Sequence, residues 1–369
     1  MAVSRINEAG LNVNQYGNRN LILNGAMNLA QRATSASVTD GTNEGYQTLD
    51  RWRFVFANNA GGACDISQST DVPSGYGFSH SYKVDVTTAD TSIASGHHII
   101  FHQRIEAQNL RNSGWNYTSS SSYLTLSFWV KSNKTGTYCI DANAVDVGGN
   151  FKFVKEFAIN TASTWEHKTI KIPGNASLVI GDDENNGMEL EWNLQTASDR
   201  DNATDNTWHT SDGSRCTSNQ VNFFDSTSNE FFITGVQLEV GETATDFEHR
   251  TFTDELARCQ RYYQIVANVQ NDLIGMCLRY NSSNTFCFFD LPVEMRVQPS
   301  VVQNGASADI RITMTGNNNN FTSCTLDNDS SPRKIRLNTS TVVSAASDGD
   351  AGWWRINNSG GFIALDAEI

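Results

Sequence analysis

Charge and apolar bulk are both scarce in this chain. Only 18% of its 369 residues are Asp, Glu, Lys or Arg, and 38% are hydrophobic, each below the usual share in globular domains. Asn, Ser, Thr and Gly make up the difference. Basic residues are the rarer charged class, 26 Lys+Arg against 40 Asp+Glu, for a formal net charge of -14. A protein that wraps nucleic acid needs basic surface to displace condensed counterions, so no nucleic-acid partner is expected. No stretch approaches the ~18 apolar residues of a membrane-spanning helix, and no membrane insertion is expected. Residues 1–20 also lack the basic and apolar regions of a secretory signal.

Catalytic signatures are missing too. The chain has no GxSxG elbow, no HExxH, no GxxxxGK[ST] phosphate loop and no GxGxxG after a strand. The seven cysteines (Cys64, Cys139, Cys216, Cys259, Cys277, Cys287 and Cys324) are odd in number and form no CxxC pair. Zinc or dithiol chemistry thus has no spacing to support it, and buried free thiols in a protein assembled in a reducing cytoplasm are expected. No period of ~20–50 residues repeats, which argues against a solenoid or propeller. Neither an enzyme, a bound metal nor a cofactor is expected.

What is present is aromatic residues, 10% of the chain, enough to fill a core and to argue against disorder. Alternating apolar runs at Tyr46–Phe56, Tyr82–Val86, Tyr123–Val130, Phe151–Phe157, His167–Ile172 and Phe231–Val240 are separated by Gly, Pro or Asn clusters. Many short strands with turn signals between them predict a mainly β protein, an antiparallel sandwich or jelly roll. Thr251–Gln264 is the one convincing helix, with Thr251 and Thr253 as caps and Leu256, Cys259 and Tyr263 as its buried stripe. It connects to a second, smaller β region with strands at Gln264–Leu278, Phe286–Leu291, Ala308–Met314, Lys334–Leu337 and Phe362–Ala367. Gly316–Phe321 (GNNNNF) is predicted as a surface turn.

Three clusters invite a chemical reading. Asp182-Asp183-Glu184 and the group Asp199, Asp201 and Asp205 offer hard oxygen ligands for calcium but lack EF-hand spacing, and solvated loops are the simpler reading. His98 and His102 would share a helix face as metal ligands. The intervening Ile99, Ile100 and Phe101 favour a strand, where the two imidazoles lie more than ~10 Å apart. Aromatic rings in polar loops are the third case: Trp115 and Tyr117 in NSGWNYTSSSS, and Trp208-His209 in the Asp/Asn/Thr-rich stretch Thr196–Asn219. A flat ring among Asn, Asp and Ser groups can stack on a sugar while those groups bond its hydroxyls. Each Trp could instead fold back as satellite core, and Trp353-Trp354 suits packing or a subunit contact.

Several blocks also carry a resemblance. Asn20–Arg32 (NLILNGAMNLAQR), Tyr46–Arg53 (YQTLDRWR), Gln103–Leu110 (QRIEAQNL), Leu126–Tyr138 (LSFWVKSNKTGTY) and Trp165–Gly174 (WEHKTIKIPG) follow one another in order. Gly235–Tyr263 (GVQLEVGETATDFEHRTFTDELARCQRYY), Leu291–Ser300 (LPVEMRVQPS) and Trp354–Ile369 complete the series. Together they resemble a family of bacteriophage tail-fibre and receptor-binding virion proteins of the marine-phage type. The resemblance implies a carbohydrate-binding-module-like jelly roll over residues 41–249, then the connecting helix and a smaller C-terminal β domain over 250–369. It implies a homotrimer on the virion, with residues 1–40 as an arm docking onto other tail or capsid proteins and a host surface glycan as the receptor. No catalytic residue belongs to the pattern. A capsid or tail decoration protein without a receptor is the alternative, and a polysaccharide depolymerase a third.

Overall fold

Leu124, Leu126, Phe128 and Val130 alternate with Thr125, Ser127, Trp129 and Lys131, and only the first set lies in the hydrophobic core. That period of two, repeated along the chain, builds the molecule. The computed structural model describes residues 18–40, 42–58, 60–147, 151–211, 213–304 and 309–369. They fall into two compact units that divide after Glu255.

The first unit contains β1 (Ser35–Thr39), β2 (Arg53–Ala57), β3 (Ala63–Ser69), β4 (Ser81–Thr88), β5 (His98–Glu106) and the short helix α1 (Ala107–Arg111). It continues with β6 (Tyr123–Ser132), β7 (Gly136–Ala144), β8 (Lys152–Ile159), β9 (Glu166–Pro173), β10 (Asn186–Thr196), β11 (Thr207–His209) and β12 (Glu230–Val240). Two antiparallel six-stranded sheets result, ordered β1-β3-β4-β12-β6-β9 and β11-β8-β7-β10-β5-β2. The chain crosses repeatedly from one sheet to the other, as in a jelly roll. Their inner faces meet in one core of interleaved rings. Trp192 of β10 stacks on Phe101 of β5 at 5.4 Å and meets the edge of Phe128 of β6 at 5.7 Å, while Tyr82 of β4 meets Phe101 at 5.6 Å.

Residues 20–40 correct the expectation of an arm over 1–40, whose residues 1–17 lie outside the described ones. Ile22, Met27, Leu29 and Val38 are buried, β1 pairs with β3, and the Asn20 side chain bonds the backbone of β12 twice, donating to Val236 O (3.1 Å) and accepting from Leu238 N (3.0 Å). Gly25 comes so close that a Cβ there would lie 2.1 Å from the Val236 carbonyl oxygen. This stretch is therefore part of the sandwich.

Helix α2 (Phe252–Gln260) starts at the Thr251 hydroxyl, which accepts from Asp254 N. It ends sooner than its apolar spacing predicts. Cys259 is buried, but Tyr263 already belongs to a strand. The second unit carries β13 (Tyr263–Ala267), β14 (Leu273–Asn281), β15 (Asn284–Asp290), β16 (Ser300–Gln303), β17 (Ile310–Met314), β18 (Asn317–Phe321), β19 (Thr325–Leu326), β20 (Lys334–Thr339), β21 (Ala351–Ile356) and β22 (Ile363–Asp366). A three-stranded sheet, β13-β22-β16, and a seven-stranded one, β18-β17-β21-β14-β15-β20-β19, share a core around Trp354, Ile312, Leu337 and Leu365. The GNNNNF stretch is not a turn but β18, because left-handed Thr315 and Gly316 already reverse the chain. All seven cysteines are buried thiols.

Deleting residues 1–40 is expected to abolish cooperative unfolding, because it strips four buried apolar side chains, each worth about 2 kcal/mol, and an edge strand from the first sheet. A melt of the truncated chain by circular dichroism checks this. A cooperative transition at the full-length temperature would restore the arm.

Candidate functional site: an aromatic cleft on the first sheet

The outward face of a half-buried strand normally carries small polar or charged groups. β6 departs from this at Trp129, in the second half of the strand. Its cross-strand partners are His167 on β9 and Thr234 on β12. The indole lies 5.1 Å from the His167 ring and 4.2 Å from Tyr76, which stands 54% exposed on the turn before β4. Gly75 and Gly77, both at positive φ, let that turn fold back over the sheet.

A second aromatic group faces the first. Phe78, Phe247 and His249 pack mutually at 5.0–5.2 Å, and the His249 Nε2–H donates to the Tyr76 carbonyl at 3.2 Å. Phe78 lies on a bulge of β12 where Gly235 is required twice over. Its φ is +62°, and a Cβ would meet the Phe78 ring at 2.5 Å. Between the two groups opens a cleft of about 530 Å³, lined also by Ser127, Ala244, Thr245 and Asp246. That size lies within the ~300–1,000 Å³ typical of ligand clefts. Beyond Trp129 the aromatic strip continues. Lys131 lies over Phe232 at 4.4 Å and Trp165 at 5.4 Å, and is fixed by an ion pair with Asp71. Burial lowers the pKa of His167 below its ordinary value, so at neutral pH this ring stands in the cleft as a neutral imidazole among several ring faces.

The four residues singled out in the sequence lie elsewhere and are mostly spent on packing. Trp115 is 3% exposed and donates Nε1–H to Ser122 O at 3.3 Å, with half-buried Tyr117 against it at 6.2 Å. Trp208 stacks on Phe151 at 4.9 Å and donates to Pro173 O at 3.1 Å. His209 Nε2 accepts from Thr204 N in its own loop. Both loops reach residues 173–175, the first because Gly174 N donates to Ser122 O and Asn175 N to Tyr117 O, both at 2.8 Å, the second through Trp208 and Pro173 O. Trp115 is a core residue and offers no free face, which corrects its assignment as a sugar contact. The acidic loops are structural as well. Asp199 accepts from Gly96 N and Ser95, and Asp205 from Glu156 N.

The outward face of the second sheet holds a different array. Arg53, His102, Glu191 and Asp141 are successive cross-strand partners on β2, β5, β10 and β7. Around them stand Lys152, 3.5 Å from Glu191 and 3.8 Å from Asp141, Arg215, 2.9 Å from Glu191, and Arg104, 2.7 Å from Glu189. Ligand atoms of His102, Glu189 and Glu191 lie within 4.8 Å of one another. A cation nevertheless fits poorly, because each carboxylate already holds a guanidinium. Arg53, which can only donate, approaches His102 Nε2 at 3.4 Å, leaving the imidazole proton on Nδ1 toward Glu191. Burial would raise the Glu191 carboxyl, but Lys152 and Arg215 hold it well below the usual range. Asp141 is pushed the other way, up from the ordinary carboxylate range, by burial and by Glu191. With Asp141 and Lys152 at 0% exposure, the array is closed to a substrate.

No family model matches the chain, and no curated protein matches it at a significant level. Among solved structures it is similar to the enzymatically active domain of tailspike protein 4 from bacteriophage CBA120 (15% identity over 60% of this chain, TM-score 0.32), of which it spans 22%. It is also similar to a family 4 carbohydrate-binding module (14% identity over 59% of this chain and 98% of that one, TM-score 0.30). A third is the C-terminal family 22 carbohydrate-binding module of Clostridium thermocellum Xyn10B (10% identity, 62% and 99%, TM-score 0.31). Scores of this size carry no inference of shared activity.

His98, at the start of β5, yields a pH prediction. Burial and then Arg215 lower its pKa to about 4, while the unfolded value is about 6.5. Its contribution to stability is complete above pH 6.5 and is lost as pH falls toward 4, because the unfolded chain takes up a proton the folded imidazole refuses. Urea unfolding is expected to show about 2 kcal/mol less stability at pH 5 than at pH 7.5 from this group. His98→Gln should flatten that slope, and an unchanged slope would refute the assignment.

Proposed function

We propose that this chain is a non-catalytic glycan-binding protein that uses the Trp129 cleft. The observation that carries the reading is Trp129 itself, an indole on the outward face of a strand, flanked by Tyr76 and His167 at the mouth of a polar-rimmed cleft. Apolar C–H faces of a sugar ring stack on such rings, while hydroxyls bond to groups such as Asp246, Thr245 and the two imidazoles. Binding by stacking and hydrogen bonding breaks no bond. The carboxylates with divergent proton affinities, Asp141 and Glu191, are buried in the ion row of the second sheet, which supports a role without hydrolysis.

The biological setting rests on the sequence resemblance. As a phage virion protein, a tail-fibre, spike or other receptor-binding component, the chain would attach the particle to host surface glycans. A homotrimer would convert weak single sites into avid attachment, since linked sites gain by effective concentration. Labelled protein should bind host cells saturably and block phage adsorption. Trp129→Ala is expected to weaken binding of surface-polysaccharide fragments by about thirtyfold, roughly 2 kcal/mol, with the melting temperature little changed. His209→Ala should leave affinity intact. Titration calorimetry reads both. No binding by the parent protein at micromolar concentration would turn the assignment to a decoration role, and loss of viscosity of the polysaccharide would turn it to a depolymerase.

A further inference from the structure

In the second unit, the seven-stranded sheet has one face on the core and the other turned outward, and the outward face is apolar at its centre. Met276 on β14 is the cross-strand partner of both Trp353 on β21 and Phe288 on β15. One step along the strands, Leu278 pairs with Phe286, and Tyr280 follows with its ring 5.2 Å from Phe286. Met276 is 59% exposed, Tyr280 62%, and Phe288 and Trp353 43% each. Leu273, on the same strand, is 60% exposed.

The margins are polar. On one side Arg336, partner of Phe288, lies over the Phe286 ring at 4.7 Å and is held in place by Asp327 and Asp329. On the other, Thr313 pairs with Trp353, and Arg311 is fixed on Asn320 at 3.1 Å. An apolar centre with an ordered polar rim containing Arg is the composition of a protein interface.

We infer that this face packs against a further copy of the chain. Area and charge both favour that occupant. Five side chains of this size, about half exposed, offer on the order of 500 Å² of apolar surface. With its rim the face approaches the ~800 Å² per partner of a stable protein contact, an area a single bound sugar would not cover. Charge points the same way. Leu256–Ile369 contains nine Lys+Arg and ten Asp+Glu, whereas the remainder of the chain holds 17 against 30. The excess negative charge that would repel a second copy is thus confined to the other unit, and the near-neutral one is free to self-associate. The inference rests on the homotrimer of the proposed function and gives it a contact face, while the glycan cleft is tested separately, since no residue of the cleft takes part.

Sedimentation velocity of the full chain between about 1 and 100 μM tests it. The parent is expected to be oligomeric, and Met276→Asp to raise the dissociation constant at least about a hundredfold, since it places a charge at the dry centre of the contact. Val179→Asp, an equally exposed position in the first unit, should leave association unchanged. If Met276→Asp fails to fold by circular dichroism, Tyr280→Lys on the same face gives the same reading. A parent that stays monomeric at 100 μM, or folded Met276→Asp and Tyr280→Lys variants that associate as the parent does, overturns the inference. The first of these results would leave the face to a different protein.

Discussion

Trp192 lies flat on Phe101 and edge-on to Phe128, and much of the first unit depends on this contact. The first two residues belong to one sheet and the third to the other, so the cluster couples the two layers. Rings of this size fill the ~10 Å between packed sheets with few side chains, in a chain that has few apolar residues to spend. Fixing which face of each strand looks inward also fixes which looks outward, because a slip of one residue would reverse every side chain. Trp129 faces the cleft because Phe128 and Val130 face the core. Glu191 joins the ion row because Leu190 and Trp192 do not.

The two outward faces have opposite energetics. On the second sheet, charges are buried, and the attraction among Lys152, Glu191, Arg215 and Arg104 must offset their loss of hydration. Such arrays add little net stability but penalise any misregister that leaves one charge alone. They suit a role in fixing strand order. On the first sheet, the exposed rings cost little to hold in place and gain by being covered. A surface that gains free energy when covered is suited to binding.

Much of the architecture was legible from alternation alone. The runs at Tyr82–Val86, Tyr123–Val130 and Phe231–Val240 fall on β4, β6 and β12. β10 escaped notice although Met188, Leu190, Trp192 and Leu194 alternate with Glu189, Glu191, Asn193 and Gln195. Its charges suggest a loop, and only partners on other strands neutralise them. The cleft escaped for a related reason. A Trp in a polar loop looks available for binding, yet Trp208 found ring and carbonyl partners far away in sequence, and Trp115 turned into the core beneath its own loop. The readable clue was Trp129, an indole set between Ser127 and Lys131 on the outward face. Its companions Tyr76, His167 and His249 come from three other segments, and no spacing rule connects them.

Trp353 and Trp354 show the same principle at its smallest scale. Adjacent in sequence and identical in chemistry, they are 43% and 0% exposed, because one strand sends neighbours to opposite faces. Trp354 meets Phe321 at 4.7 Å within the core, and its burial is complete without any partner molecule. Trp353 gains nothing from folding that a smaller residue would not also gain, and it leaves apolar surface in water at a cost of ~25 cal/mol per Å². The same holds for Met276, Phe288 and Tyr280 beside it. Four such costs on one face of one sheet, with none offset inside the unit, are best balanced by a contact that removes the whole face from water.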